Sequence, residues 1–243
     1  MEKLEINLRI KSDFESLRSI FKLLKEWSLW EIKSEEWGNA ILDMQLLIGA
    51  LVMFSRNDAV ELFNSQKDVN ERAMAGCVYR YMYCAHILNF CKATYPNIDI
   101  EYDRIKIDQE NFGPKVLSLC QNNSCEEELK KKCTQFIYRK KRCCLCGNCD
   151  KRVIPDLIIY KRNSDLGKGN GMIVEFKRYK VNDSVDNIKI TYATCEFGAL
   201  KYKLGAVVKL SKKFQKIKFY GKNYKNLVFQ VDSNKVIFEK GQK

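Results

Sequence analysis

The chain has 243 residues, 46% of them hydrophobic, and carries 43 Lys and Arg against 30 Asp and Glu, a formal charge of +13. Its single histidine, His86, falls inside a helical pattern and excludes nucleophile–histidine catalysis, and no internal repeat, low-complexity tract or glycine-rich phosphate loop is present. The longest apolar run, Leu46 to Phe54, is too short to span a bilayer, and the charged opening Met1-Glu2-Lys3-Leu4-Glu5 is unlike a signal peptide, so a cytoplasmic chain with reduced thiols and no membrane partner is expected.

In chain order, residues 1–65 read as a helical N-terminal extension. Leu17, Ile20, Phe21 and Leu24 mark one amphipathic helix, and a second runs from about Asn39 to Ser55 with Ile41, Met44, Leu47 and Leu51 on one stripe. No Pro- or Gly-rich linker follows, so residues 66–243 are read as one compact unit with that extension rather than as two independent domains. A helix from Asp68 to Cys91 opens this unit; Ala75, Val78, Tyr81, Met82, Ala85 and Leu88 form its apolar stripe. Glu71 precedes Ala75 by four and Val78 by seven, so it shares the inward face. An acid in a first helical turn is also favoured by the macrodipole alone. Cys77, Cys84 and Cys91 recur every seven residues and read as packing. A strand, Ile98 to Ile107, leads into a lysine- and cysteine-rich insertion, 108–150.

The most informative stretch follows. Val153 to Tyr160 and Met172 to Phe176 are apolar, β-branched runs separated by the polar segment Lys161 to Gly171 with its three glycines, which predicts strand, turn, strand. Asp156 sits in the first run and Glu175 in the second. Lys177 lies two positions beyond Glu175 and shares its face, while Phe176 points to the other. Both carboxylates lie in strands that read as buried on both sides, where an unpartnered acid is costly. Two carboxylates and an amine on one face suit metal-dependent phosphodiester cleavage: the acids are hard oxygen ligands for Mg²⁺ or Mn²⁺, and the lysine orients the attacking water or stabilises the charged phosphorane. Beyond the hairpin, a helix from about Asp183 to Tyr202 and a strand, Ala206 to Ser211, are predicted, and Asn226 to Lys240 reads as an edge hairpin around Asp232-Ser233-Asn234.

Pro155-Asp156 followed by Glu175-Phe176-Lys177, in this order of elements, resembles the PD-(D/E)xK nuclease superfamily from about residue 68 to 211. Three local features are similar to an uncharacterised microbial branch: Asn70-Glu71-Arg72 opening the first helix, the acidic strand Ile100-Glu101-Tyr102-Asp103-Arg104, and the basic pair Lys161-Arg162 closing the run after Asp156. The resemblance implies an α/β, restriction-endonuclease-like mixed sheet flanked by helices. It implies a Mg²⁺- or Mn²⁺-dependent endo- or exonuclease in which Asp156, Glu175, Glu71 and the Phe176 carbonyl hold the metal and Lys177 positions water. Nucleases of this fold often pair to cut both strands, so a homodimer is an expected partner.

Charge gives an independent argument. Residues 151–243 hold 21 of the basic residues and 8 of the acidic ones, so the whole excess belongs to the part bearing the motif. That segregation suits a polyanion, since neutralised phosphates release condensed counterions. Nucleic acid is therefore the expected partner, DNA favoured over RNA, with Arg72, Arg80, Lys161, Arg162, Lys212 and Lys213 as candidate contacts. Between Lys209 and Lys225 the lysines alternate with Phe214, Phe219, Tyr220 and Tyr224, rings that either stack on unpaired bases or form core.

Seven of eleven cysteines fall between Cys120 and Cys149. Cys146-Gly147-Asn148-Cys149 has the form of a metal knuckle. A structural Zn²⁺ held by Cys146, Cys149 and two of Cys120, Cys125, Cys133 and Cys143 is expected, an iron–sulfur cluster being the rival. The alternative function is a non-catalytic, zinc-stabilised nucleic-acid-binding protein on the same fold.

Overall fold

The computed structural model describes residues 3–8, 18–20, 22, 40–65, 70–100, 155–161, 169–194, 201–221 and 224–239. The insertion 108–150 with its six candidate zinc ligands, and Arg162, lie outside the described residues.

Among the described residues eight strands form one sheet: β1 (Lys3–Asn7), β2 (Asn97–Asp99), β3 (Leu157–Tyr160), β4 (Asn170–Arg178), β5 (Leu204–Leu210), β6 (Gln215–Gly221), β7 (Tyr224–Val231) and β8 (Lys235–Glu239). Their spatial order is β1-β8-β7-β6-β5-β4-β3-β2. Four helices have defined bounds among the described residues: α1 (Ala40–Asn57), α2 (Ala59–Ser65), α3 (Glu71–Ile87) and α4 (Ser184–Thr194). The pair β4–β5 is parallel and the others are antiparallel, so the architecture is α/β with a mixed sheet. Parallel neighbours need a crossover connection, and α4 lies in the one joining β4 to β5.

Strand alternation sorts the side chains into two layers. Leu157, Ile159, Met172, Val174, Phe176, Ala206, Val208, Phe219 and Phe229 join α1 and α3 in the principal core. Each fully buried Leu or Phe among them contributes about 1.5–3 kcal/mol. The opposite face carries Glu175, Lys177 and Gly205, with α4 packed over it. Gly205 is what lets α4 approach: a Cβ there would lie 2.3 Å from Ile190 Cγ2 and 2.9 Å from Thr194 Cγ2. Both atoms branch directly from Cβ on a helix and have little room to swing. Gly205→Ala is therefore expected to lower stability by about 1–3 kcal/mol through overpacking. A urea midpoint equal to that of the unmodified chain would refute this.

Helix α1 is buried almost all round, from Asp43 through Ser55. Its 18 residues are long and apolar enough, by length and composition, to cross a membrane, and 78% of that stretch is buried inside the molecule. The amphipathic reading of this segment was too narrow because the helix lies against both α3 and the sheet.

Several boundaries differ from the sequence reading. Lys3–Asn7, read as part of a helical extension, is an edge strand paired with β8 in register Leu4↔Phe238 and Ile6↔Val236. The β7–β8 hairpin is therefore covered on its outer side and is not the edge of the sheet. Helix α3 stops at Ile87 rather than at Cys91: Leu88 N–H still closes on Cys84 O, but Asn89 takes φ 57°, a left-handed conformation that ends the helix. Of the three cysteines read as packing, Cys91 is buried, Cys77 is partly buried and Cys84 is exposed.

Candidate active site

The site forms where β3 runs out beside β4. The antiparallel register ends at Leu157↔Val174, and Asp156 and Pro155 are the residues that lead into β3 just before it. Proline has no N–H to give, so the ladder cannot continue there. The amide of Phe176 is taken instead by the side chain of Asp156, Phe176 N–H donating to Asp156 Oδ2 at 2.7 Å. A strand residue turns its N–H and C=O to the same edge, which aims the Phe176 carbonyl at the place where Pro155 offers no donor. The Pro-Asp pair thus ends a strand, fixes a carboxylate on its neighbour and leaves a carbonyl without a ladder donor from β3.

Glu175 is 2% exposed, embedded in β4 on the face that α4 covers. Lys177 lies on the same face. Its Nζ is 2.7 Å from Glu71 Oε2 and 3.6 Å from Asp186 Oδ2. Glu71 is the first residue of α3, positioned by the Asn70 cap, whose side chain accepts from Arg72 N–H at 2.9 Å. Asp186 lies in the first turn of α4 and is buried. Two helix starts from different parts of the chain therefore present their acids to one amine, which the helix dipoles favour.

Burial by itself would push the Lys177 amine down, but the Glu71 hydrogen bond and the charges of Asp186, Glu71 and Asp156 outweigh it, and the net shift is upward. Lys177 is thus an ammonium at neutral pH. A folded-state value above the unfolded one means stability that is fully present below about pH 10.5 and lost as the pH climbs through the higher folded value. Glu71→Gln removes one of these charges. It is expected to bring alkaline unfolding to lower pH, which thermal melts between roughly pH 9 and 11 would register.

The sequence-predicted residues fare differently. Lys177 meets Glu71, and Asp156 is among the acids whose charge favours its ammonium, while Glu175 shares the strand face of Lys177. Glu71, expected as a metal ligand, is engaged by Lys177, and among the described residues no three of His, Cys, Asp and Glu gather as a ligand set. Arg80 pairs with Asp58 at 3.0 Å and lies over the Tyr81 ring, which ties α3 to the start of α2. Lys212 donates to Asn64 Oδ1 at 2.7 Å; Lys161, Arg72 and Lys213 are exposed. Asp186 was missed. Its only sequence signal was an acid in the first turn of a predicted helix, which carries no information until that helix is packed on β4. Phe219 and Tyr220 are core rather than stacking platforms.

Asp156 and Glu175 are hard oxygen donors of the type that Mg²⁺ and Mn²⁺ take. Comparison of the chain with family models, curated proteins and solved structures finds no match in any of the three.

Proposed function

We propose that this protein is a metal-dependent nuclease of the restriction-endonuclease-like kind, hydrolysing phosphodiester bonds of nucleic acid. The observation that carries the reading is the lysine ammonium fixed between Glu71 and Asp186, on the strand face that also carries buried Glu175. Asp156 and Glu175 would hold Mg²⁺ or Mn²⁺ with the Phe176 carbonyl. Bound there, the ion supplies Lewis-acid polarisation of a phosphoryl oxygen and lowers the pKa of a coordinated water.

The chain's own residues do the rest. Lys177, being protonated, takes no proton; it donates hydrogen bonds to the attacking water or to the phosphoryl oxygens as charge builds on them. Glu71 and Asp186 hold the amine in place through the reaction and keep it charged. The Phe176 amide donates a hydrogen bond to the Asp156 carboxylate and so helps to fix its position.

Incubation of the purified protein with single- and double-stranded DNA and RNA, in Mg²⁺, Mn²⁺ or EDTA, tests the reading. Cleavage that requires the metal supports it. Tight binding with no cleavage in either metal would instead favour the non-catalytic binding protein.

A further inference from the structure

The sheet face that carries Lys177 also carries a row of amines. The β4–β5 register sets Lys177 directly beside Lys209, and the β5–β6 register sets Lys209 beside Lys216. Adjacent strands are about 4.8 Å apart, so three lysines cross three strands in a line of about 10 Å. Like charges directly opposite each other destabilise a sheet, and a fold without need of them would not place three in one row. Acids steady the inner two: Lys177 has Glu71 and Asp186, and Lys209 has Asp183 Oδ2 at 3.3 Å. Neighbouring Lys218 is pushed down by burial, with Asp183 opposing the shift and Lys216 adding a smaller contribution to it.

An aromatic pair lies one step beyond the row. Gln215 is fully buried toward α1, where its Nε2 donates to Ser55 Oγ, so alternation turns Lys216 to the Lys177 face, and Phe214 lies just before β6. Tyr179, two residues past Lys177 and tied to the end of β5 by its N–H to Leu210 O, meets Phe214 edge-on at 4.9 Å between ring centroids. Tyr179 is nevertheless 41% exposed, and Lys180 and Lys213 beside the pair are exposed too. Phe214 thus steadies a ring that remains open to solvent at the end of a lysine row.

We propose that this row and the Tyr179–Phe214 pair form a cradle for a single strand of nucleic acid, its phosphates along Lys177, Lys209 and Lys216 and an unpaired base stacked on Tyr179. The inference deepens the nuclease reading and rests on it for the chemistry at Lys177. A single strand is the occupant rather than a duplex for two reasons. The amines of Lys177 and Lys209 are recessed, their side chains 16% and 24% exposed, so a slender backbone reaches them more readily than a wide helix. An open ring beside phosphates has a base face to meet only where the bases are not already stacked on paired neighbours.

The test measures binding of the whole chain, in EDTA, to fluorescein-labelled 12-mers of mixed sequence as single-stranded DNA, single-stranded RNA and DNA duplex. Either single strand is expected to bind at least about tenfold tighter than the duplex. Tyr179→Ala is expected to reduce that preference about tenfold and Tyr179→Phe to retain it. Lys216→Gln is expected to shallow the single-strand salt dependence by about 0.7 in log affinity per log salt. A duplex bound as tightly as both single strands, or a preference unchanged in Tyr179→Ala, overturns the cradle. Binding is read without metal, so the two readings fail separately. Single-strand preference without cleavage in Mn²⁺ sinks the nuclease and keeps the cradle, whereas metal-dependent cutting indifferent to Tyr179 does the reverse.

Discussion

Lys177→Met should lose catalysis by at least about 10²–10³-fold, the scale on which removing one preorganised donor to a developing oxyanion acts. Methionine keeps most of the stem's volume and removes only the ammonium. The substitution also strands two acids. Asp186, whose side chain is 5% exposed, and Glu71 would face each other without the cation between them. Breaking a buried pair from one side typically destabilises by about 3–5 kcal/mol, and part of this is relieved as one acid takes a proton. A second change separates the two effects. Lys177→Met combined with Asp186→Asn should recover much of the melting temperature and none of the cleavage. Asp156→Asn, which keeps an oxygen to accept from Phe176 N–H, should fold normally and need far more Mn²⁺ to saturate. Turnover of a quenched fluorescent oligonucleotide, read beside thermal melts, checks all three. Activity of Lys177→Met within tenfold of the unmodified chain would remove the lysine from the chemistry.

Asp43→Asn should make the protein more stable at pH 8 and nearly unchanged at pH 4. Asp43 is fully buried in α1, and burial raises its carboxyl from 3.8 to about 7, against the opposing pull of the Thr94 hydrogen bonds and the Lys203 charge. Its Oδ1 accepts from Thr94 N–H at 2.7 Å, while Oδ2 has no hydrogen-bond partner among the described residues. That oxygen occupies the space left by Gly171. A Cβ at Gly171 would lie 3.0 Å from Asp43 Oδ2 and 3.1 Å from the Ile159 carbonyl. Gly171 is the extra residue of a bulge, since Ile159 pairs with Met172 and Tyr160 with Asn170. Between pH 3.8 and about 7 the folded chain holds a proton there that the unfolded chain has released, so stability falls as pH rises through that window. Roughly three pH units at 1.36 kcal/mol each set the scale at about 4 kcal/mol. Asparagine keeps the acceptor for Thr94 with no charge to bury. Urea unfolding from pH 4 to pH 8 should show the two proteins diverging as pH rises; parallel profiles would contradict the assignment.

What the sequence disclosed was local, and what it hid was long-range. The hairpin could be read because its information is contained in some twenty-five residues: two β-branched runs, a glycine-bearing turn, and the two-residue period that puts Glu175 and Lys177 on one side. Glu71 was placed inward by helical spacing within its own helix. Asp186 could not be found the same way, because its nearness to Lys177 depends on how α4 crosses from β4 to β5, which Gly205 permits from a distance. Lys3–Asn7 alternates polar and apolar residues, but its strand partner among the described residues lies some 230 residues away, and a five-residue alternation at that range is too weak a signal. Asp43 looked like an ordinary acid in a first helical turn. Nothing short of the packed sheet reveals that the helix is buried almost all round.

The pairing of β1 with β8 also governs how the molecule comes into being. Residue 3 is synthesised well before residue 239 and must wait for it before its backbone amides find a mate. Until then β1, like the apolar α1 behind it, is exposed to other chains. Closure of the outer border is therefore necessarily a late event, and rapid refolding from denaturant is not to be expected of a sheet whose final seam joins its most distant segments.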